Sequence, residues 1–338
     1  MPKTIIEKII SNHSKQSVQA GDLTIIDVDA TMATDSTAPL AIKSFKEMGG
    51  DQVADSDRIV LVIDHASPAP NERVANLHQS MRDFANEQQI KLYDVGEGIC
   101  HQLMIDNHHV QPGQIVFGAD SHTVTYGALG AFATGVGSTD LAGIWLTGQT
   151  WVKVPETIKI ELEGEMRTDI TSKDIILHIV GKLGISGATY KAIEYTGSAV
   201  RGMSLSSRMT LANMSIEMGA KAGLVNTENL EWSEEFQHIQ PDKDAIYTDV
   251  HTIDVSSIQP QIAVPHSPDQ VVALETLVGT PIHQGLSVVA RMASLKTCKQ
   301  PHACLKGSTL KQERGCSLPQ LHAKCSKMHW MTEPHKFL

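Results

Sequence analysis

The 338 residues contain no Cys-x-x-Cys pair, and the five cysteines are Cys100, Cys298, Cys304, Cys316 and Cys325. An odd count, with four of the five crowded near the C-terminal end, gives no disulfide framework. No apolar run reaches the ~18 residues that a membrane span needs. Basic residues are in deficit: 28 Lys and Arg stand against 38 Asp and Glu, for a formal net charge of −10. Such a surface repels nucleic acid and anionic membranes, so neither is expected as a partner. The N-terminal residues lack the apolar block and small-residue cleavage site of a secretory signal, so a cytoplasmic location is expected. The glycine-rich stretch Gly127–Gly137 has no Walker lysine and does not meet the dinucleotide spacing. Its glycines read first as close-packing and turn residues.

Hydrophobic residues make up 41% of the chain, enough for a sizeable core. The length leaves room for two or three domains. Ile5, Ile6, Ile9 and Ile10 recur at helical spacing, so Met1–Ser14 reads as an amphipathic helix. From there to about Val152, β-branched runs at Leu23–Val28 and Ile59–Ile63 and a short run at Ile115–Phe117 alternate with helical patterns such as Asn71–Asn86. Strands alternating with helices predict α/β layers with mainly parallel sheets. A second unit begins near Pro155, with a strand at Thr157–Leu162, a helix at Ser172–Lys182 capped by Ser172, a strand at Ala188–Tyr195 and a Met-rich helix at Met209–Gly219. Asn226–Asp249 reads as loop, and Val264–Thr280 closes the unit. The expected domains are 1–153 and 154–284. From Gly285 to Leu338 no period is sustained, and no native domain is expected.

Ligands on parallel sheets gather at the carboxyl ends of strands. Asp64-His65 follows one apolar run, and Asp120-Ser121-His122 follows another. His101 precedes Gln102. A carboxylate beside an imidazole fixes its tautomer and raises its basicity, as proton transfer near neutral pH requires. Each histidine taken singly is equally consistent with a hydrogen-bonded core or surface role. Glu194 is an acid inside an apolar strand, where burial demands pairing or coordination. Functional and salt-bridged structural readings are balanced there.

Lys3–His13, Gly21-Asp22, Asp35-Ser36-Thr37-Ala38-Pro39, Asp64-His65, Gly98-Ile-Cys-His-Gln102 and Gly118-Ala-Asp-Ser-His-Thr123 occur in one order. Gly127–Gly137, Ala192-Ile-Glu-Tyr-Thr-Gly197, Met214–Gly219 and Ala263–Asp269 continue it. This collinear series resembles the aconitase superfamily, in particular its 3-isopropylmalate dehydratase and homoaconitase large subunits. The Asp35–Pro39 form is similar to the archaeal-type branch. The resemblance implies an aconitase-type layered fold. It also implies a hydro-lyase that moves a hydroxyl between neighbouring carbons of a small hydroxy acid, most simply 3-isopropylmalate to 2-isopropylmalate in leucine synthesis. Homoaconitase and dimethylmalate dehydratase remain alternatives, as does a non-catalytic remnant. A 4Fe-4S cluster held by three cysteines and a small-subunit partner are implied as well. By the same resemblance, Asp64, His65, Asp120 and His122 help protonate the leaving hydroxyl, His101 and Glu194 orient substrate and water, and Asp35 and Ser121 contact substrate. Thr34 stands where many members carry a histidine.

The chain departs from this pattern after Gln284. The expected Gly-Ser-Cys-Thr-Asn-Gly motif and the later Cys-x-x-Cys are absent. Permitted codons for Gly285–Gln300, read from the third base of the Gly285 codon, encode Phe-Ile-Gly-Ser-Cys-Thr-Asn-Gly-Lys-Leu-Glu-Asp-Leu-Gln, the missing motif. Residues 285–338 therefore read as an out-of-frame translation. Cys298 and Cys304 are too widely spaced, and too poorly flanked, to replace the cluster ligands. The expectation is an inactive chain with no metal ligands of its own.

Overall fold

The computed structural model describes residues 1–230, 232 and 238–281. The segment expected to be out of frame, with four of the cysteines, lies outside the described residues. Helix α1 (Ile5–Asn12) starts at a capping box in which Thr4 and Glu7 satisfy each other's backbone donors, and it buries Ile5, Ile6, Ile9 and Ile10. Strand β1 (Leu23–Asp27) alternates exposed and buried positions. It does not join the main sheet as a β-branched run would suggest. It forms a separate two-stranded antiparallel ribbon with a later strand.

The main sheet is built from β2 (Ala30–Thr34), β3 (Ile59–Val62), β4 (Lys91–Tyr93), β5 (Ile115–Gly118) and β6 (Phe132–Gly135), all parallel, in the spatial order β4-β3-β2-β5-β6. The intervening helices are α2 (Ala38–Glu47), α3 (Glu72–Gln88), α4 (Cys100–Asp106) and α5 (Ser138–Thr147). Strand β7 (Gln149–Lys153) then returns to pair with β1. The period of two divides the sheet's side chains between its faces. Ile59, Leu61 and Ile63 pack with Phe45, Phe84 and Trp145 under α2, α3 and α5. Val60 and Val62 face Leu103, Met104 and Tyr126 on the other side.

The second sheet takes β8 (Thr157–Glu163), β9 (Ala192–Thr196), β10 (Ala222–Val225) and β11 (Asp249–Asp254), again all parallel, in the order β10-β9-β8-β11. Helices α6 (Ser172–Leu183), α7 (Ser198–Arg201) and α8 (Leu205–Met214) lie between its strands, and a small hairpin of β12 (Gln261–Ala263) and β13 (Val271–Ala273) follows. Three sequence expectations shift here. Thr171, not Ser172, is the cap of α6, because its backbone N–H and hydroxyl both donate to Asp174. Residues 188–191 form a turn, and β9 begins at Ala192. The Met-rich helix stops at Met214 and tightens into a 3-10 turn, Ser215–Met218. No helix among the described residues is long and apolar enough to cross a membrane.

The two sheets share one core. Met32, Val62 and Tyr126 belong to the same buried cluster as Ile160, Ile176 and Leu211. The glycine-rich stretch makes this closeness possible. A Cβ on Gly127 would collide with the carbonyl oxygen of Gly223 on β10, and Gly130 ends its turn in the left-handed region at φ +74. The packing reading of these glycines therefore accounts for both.

Candidate active site

The chain runs outward from β2 in both directions, to β3 and β4 on one side and to β5 and β6 on the other. The crevice beyond the carboxyl ends of β2 and β5 is thus the topological switch point of the sheet, where open α/β folds bind ligands. Asp35 follows β2, Asp64-His65 follows β3, and Asp120 follows β5.

Asp35 organises the floor of this crevice. Its carboxylate accepts the backbone N–H groups of Asp64 (3.1 Å), His65 (2.9 Å) and Ala66 (2.8 Å). Burial works against its charge, but these three donors win and hold its carboxyl below the usual range. Its side chain is 1% exposed. Asp35 thus fastens the loop that carries Asp64 and His65. His78 Nε2 lies 3.4 Å from the same carboxylate. Asp64 in turn accepts the Cys100 backbone N–H at the start of α4 (2.7 Å) and lies 2.7 Å from His65 Nδ1.

Asp120 is the hub. It caps the 3-10 helix Ser121–Leu129 by accepting the His122 N–H at 2.7 Å, and Thr123 Oγ1 donates to its carbonyl at 2.6 Å. This local chemistry is why Asp-Ser-His-Thr folds as a tight turn at the end of β5. Its carboxylate lies 3.1 Å from His101 Nε2, 3.6 Å from His122 Nδ1 and 3.6 Å from His65 Nε2. Burial alone would raise its pKa, yet the bonds to His101, His122 and His65 carry it well below the ordinary carboxylate value. The complement is His65, pushed up to about 10, first by Asp120 and then by Asp64. His65 is thus an imidazolium at neutral pH.

Exposure separates the three histidines. The His65 side chain is 38% exposed, whereas His101 is 3% and His122 is 7%. His101 is locked between Asp120 and the Tyr126 hydroxyl, 3.1 Å from its Nδ1. Ser121 Oγ lies 3.1 Å from His122 Nδ1. Of the three, His65 is the one that presents its ring to the crevice.

The structure brings together Asp35, Asp64, His65, His101, Asp120, Ser121 and His122. It does not bring in Glu194. The Glu194 carboxylate instead accepts the Ile5 N–H (2.8 Å), the Ile6 N–H (3.4 Å) and the Tyr247 hydroxyl (2.9 Å), a structural pairing at the start of α1. Burial pushes its pKa up to about 7, against the pull of those three donors. The acid that does reach the network is Glu217, whose Oε1 lies 3.7 Å from His122 Nε2. Sequence reasoning passed over it because an acid within a Met-rich run looks like one polar face of a core helix. The signal was its place in Met214–Gly219, already part of the collinear series.

Asp35, Asp64 and His65 could each offer one ligand atom to a metal, all within 4.8 Å of one another. The Asp35 oxygens, however, are already engaged by backbone donors. The crevice continues into a cleft of about 600 Å³ between Asp120-Ser121 on one wall and Tyr190 and Lys221 on the other. This arrangement can hold a proton on an exposed imidazolium beside a cleft fit for a small anion.

The family model for the aconitase family (aconitate hydratase) matches residues 7–233. The chain is 46% identical over 292 residues to the 3-isopropylmalate dehydratase large subunit 1 of Methanopyrus kandleri, an alignment covering 84% of this chain and 70% of that protein. It is 45% identical over 292 residues to the corresponding large subunit of Elusimicrobium minutum, with the same coverage. The large subunit of Syntrophus aciditrophicus is 42% identical over 317 residues, 91% of this chain and 76% of that protein. With a family match over most of its length and relatives at this identity, the chain belongs to the aconitase family.

Proposed function

We propose that this chain derives from the large subunit of a hydro-lyase that isomerises 3-isopropylmalate to 2-isopropylmalate, working in the cytoplasm with a small-subunit partner. The observation that carries the reading is Asp120 meeting three histidines at the switch point of the sheet. Dehydration of a hydroxy acid needs a proton delivered to the departing hydroxyl. His65 is the exposed imidazolium suited to give it, with Asp64 and Asp120 restoring its charge. His101 and His122 hold Asp120 in position, and Glu217 backs His122 from the 3-10 turn after α8. Ser121 lines the cleft and is placed to contact substrate.

The family's 4Fe-4S cluster, when bound, supplies a Lewis-acid iron for the substrate's carboxylate and hydroxyl. The residues present do not fit it. Cluster ligation takes thiolates, whereas Cys100, the cysteine among the described residues, is buried and its thiol is pushed well above the ordinary value by that burial and by Asp64 and Asp120. No Cys-x-x-Cys exists elsewhere in the sequence. The chain as it stands is read as inactive, its segment from Gly285 onward translated out of frame.

The deciding experiment is the nucleotide sequence across codons 280 to 340, followed by restoration of one base near codon 285. The restored large subunit, assembled with its small subunit and iron, should dehydrate 3-isopropylmalate. The chain as given should take up no stoichiometric iron–sulfur cluster under anaerobic reconstitution. A downstream sequence with no Cys-x-x-Cys in any frame, or a reconstituted four-iron cluster on the present chain, would overturn the out-of-frame reading.

A further inference from the structure

The cleft beside Asp120 has a second wall that the proton-delivery network does not use. Its central residue is Lys221, just before β10. The backbone holds it there firmly. Lys221 N–H donates to the Lys191 carbonyl at 2.7 Å, and the neighbouring turn is tied by Tyr190 N–H to the Gly219 carbonyl at 3.2 Å. Tyr190 sits in the left-handed region at φ +59, uncommon for a residue with a side chain. Its ring lies 5.7 Å from the Lys221 ammonium.

The ammonium itself makes no hydrogen bond and no ion pair to any described residue. It is half-buried, and burial lowers its pKa, while Asp140, which also lines the cleft, pulls the other way without reaching bonding distance. A desolvated cation with no bonded partner is costly, and an anion in the cleft removes that cost. The cleft is large enough for a small organic acid, at about 600 Å³. Asp120 and Ser121 line its other side, so an acid seated there lies against the reacting network.

We infer that Lys221 is a substrate-binding residue that anchors one carboxylate of a small hydroxy dicarboxylate in this cleft, with the Tyr190 ring flanking the ammonium. The assignment rests on the hydro-lyase reading for the chemistry at Asp120, but the anchor is a property of this chain's own cleft. Asp140 narrows the choice of ligand: its carboxylate repels a dense anion such as phosphate more than a singly charged carboxylate held at Lys221.

The test is calorimetric titration of the full chain with malate as probe. Malate should bind the parent chain, at least tenfold more weakly to Lys221→Met, and with near-parent affinity to Lys221→Arg. The exposed Lys182→Met should bind as the parent does. Far-UV circular dichroism establishes that each variant is folded. No malate binding to the parent, equal binding by Lys221→Met, or inorganic phosphate binding as well as malate would each overturn the assignment. In the frame-restored enzyme, Lys221→Met should raise KM at least tenfold and change kcat little. An active restored enzyme with an unchanged KM in Lys221→Met would sink the anchor and leave the hydro-lyase reading intact. Lys221-dependent malate binding with an inert restored enzyme would do the reverse.

Discussion

Glu217 Oε1 lies 3.7 Å from His122 Nε2, so a residue that follows α8 in the second unit completes a network otherwise built in the first. The contact joins the two units beside the carboxylate–imidazole network around Asp120. In the frame-restored enzyme, His122→Ala should cost ~10²–10⁴ in rate, the usual contribution of a positioned proton-transfer group. Glu217→Gln should cost about tenfold or more. The double variant should lose less than the product of the two, because they act as one unit. Ser14→Ala should leave the rate unchanged. Steady-state kinetics on the four proteins decides it, and full activity in His122→Ala would discard the role of the Asp-Ser-His motif.

His65 should titrate far above an ordinary histidine, near 10, since Asp120 and Asp64 both favour its charged form. A folded pKa above the unfolded one contributes stability that is complete below about pH 6.5 and is lost as the pH rises through about 10. Nuclear magnetic resonance of the histidine ring protons measures this directly. Asp120→Asn should bring the midpoint down by at least about one pH unit. A His65 midpoint near 6.5 in the parent would refute the clamp.

Glu194 should make the protein less stable as the pH rises. Its carboxyl is raised from 4.5 to about 7 by burial, so its contribution is fully present below about 4.5 and is lost as the pH climbs through about 7. Glutamine can take the same Ile5 and Ile6 donors without ionising. Glu194→Gln should therefore gain on the order of 1–3 kcal/mol relative to the parent at pH 8, and little at pH 5. Urea melts at the two pH values test the sign. A gain that is equal at both would mean that the carboxyl does not titrate in this range.

Two glycines, Gly127 and Gly143, should respond oppositely to alanine. A Cβ at Gly127 meets backbone of β10 that cannot step aside, so Gly127→Ala should destabilise by about 2–4 kcal/mol. Gly143 lies inside α5 with nothing within 4 Å of an added Cβ. Gly143→Ala should stabilise by up to about 1 kcal/mol through helix propensity. Denaturant midpoints of the two variants are the measurement, and similar values would contradict the close approach of β10.

What was legible in the residues was whatever announces itself locally. The α1 isoleucines declared a helix by spacing, and the apolar run at β3 declared a strand by length. Asp-Ser-His-Thr followed an apolar run, the position where a parallel sheet exposes its functional turns. What the residues did not announce shares a cause. A carboxylate in apolar surroundings must find donors, but the sequence does not say which. Glu194 finds the N–H of Ile5, 189 residues away, and Asp35 finds the backbone of the loop after β3. Asp35 is satisfied by main chain, and Glu194 by main chain together with the Tyr247 hydroxyl. Glu217 hid for the complementary reason: a helix that gives way to a 3-10 turn changes which side chain faces inward, and no local pattern marks that change.

The seat of α1 has a consequence for how the chain is made. An eight-residue helix is too short to persist alone in water, where isolated helices below ~12–15 residues are marginal. Its first N–H groups are held by Glu194, and that carboxylate is completed by Tyr247. At a synthesis rate of ~5–20 residues per second, on the order of ten to fifty seconds separate the emergence of α1 from that of its last partner. Until then α1 lacks the completed carboxylate that holds its first turn, so the seat of an early helix waits on chain that is made much later.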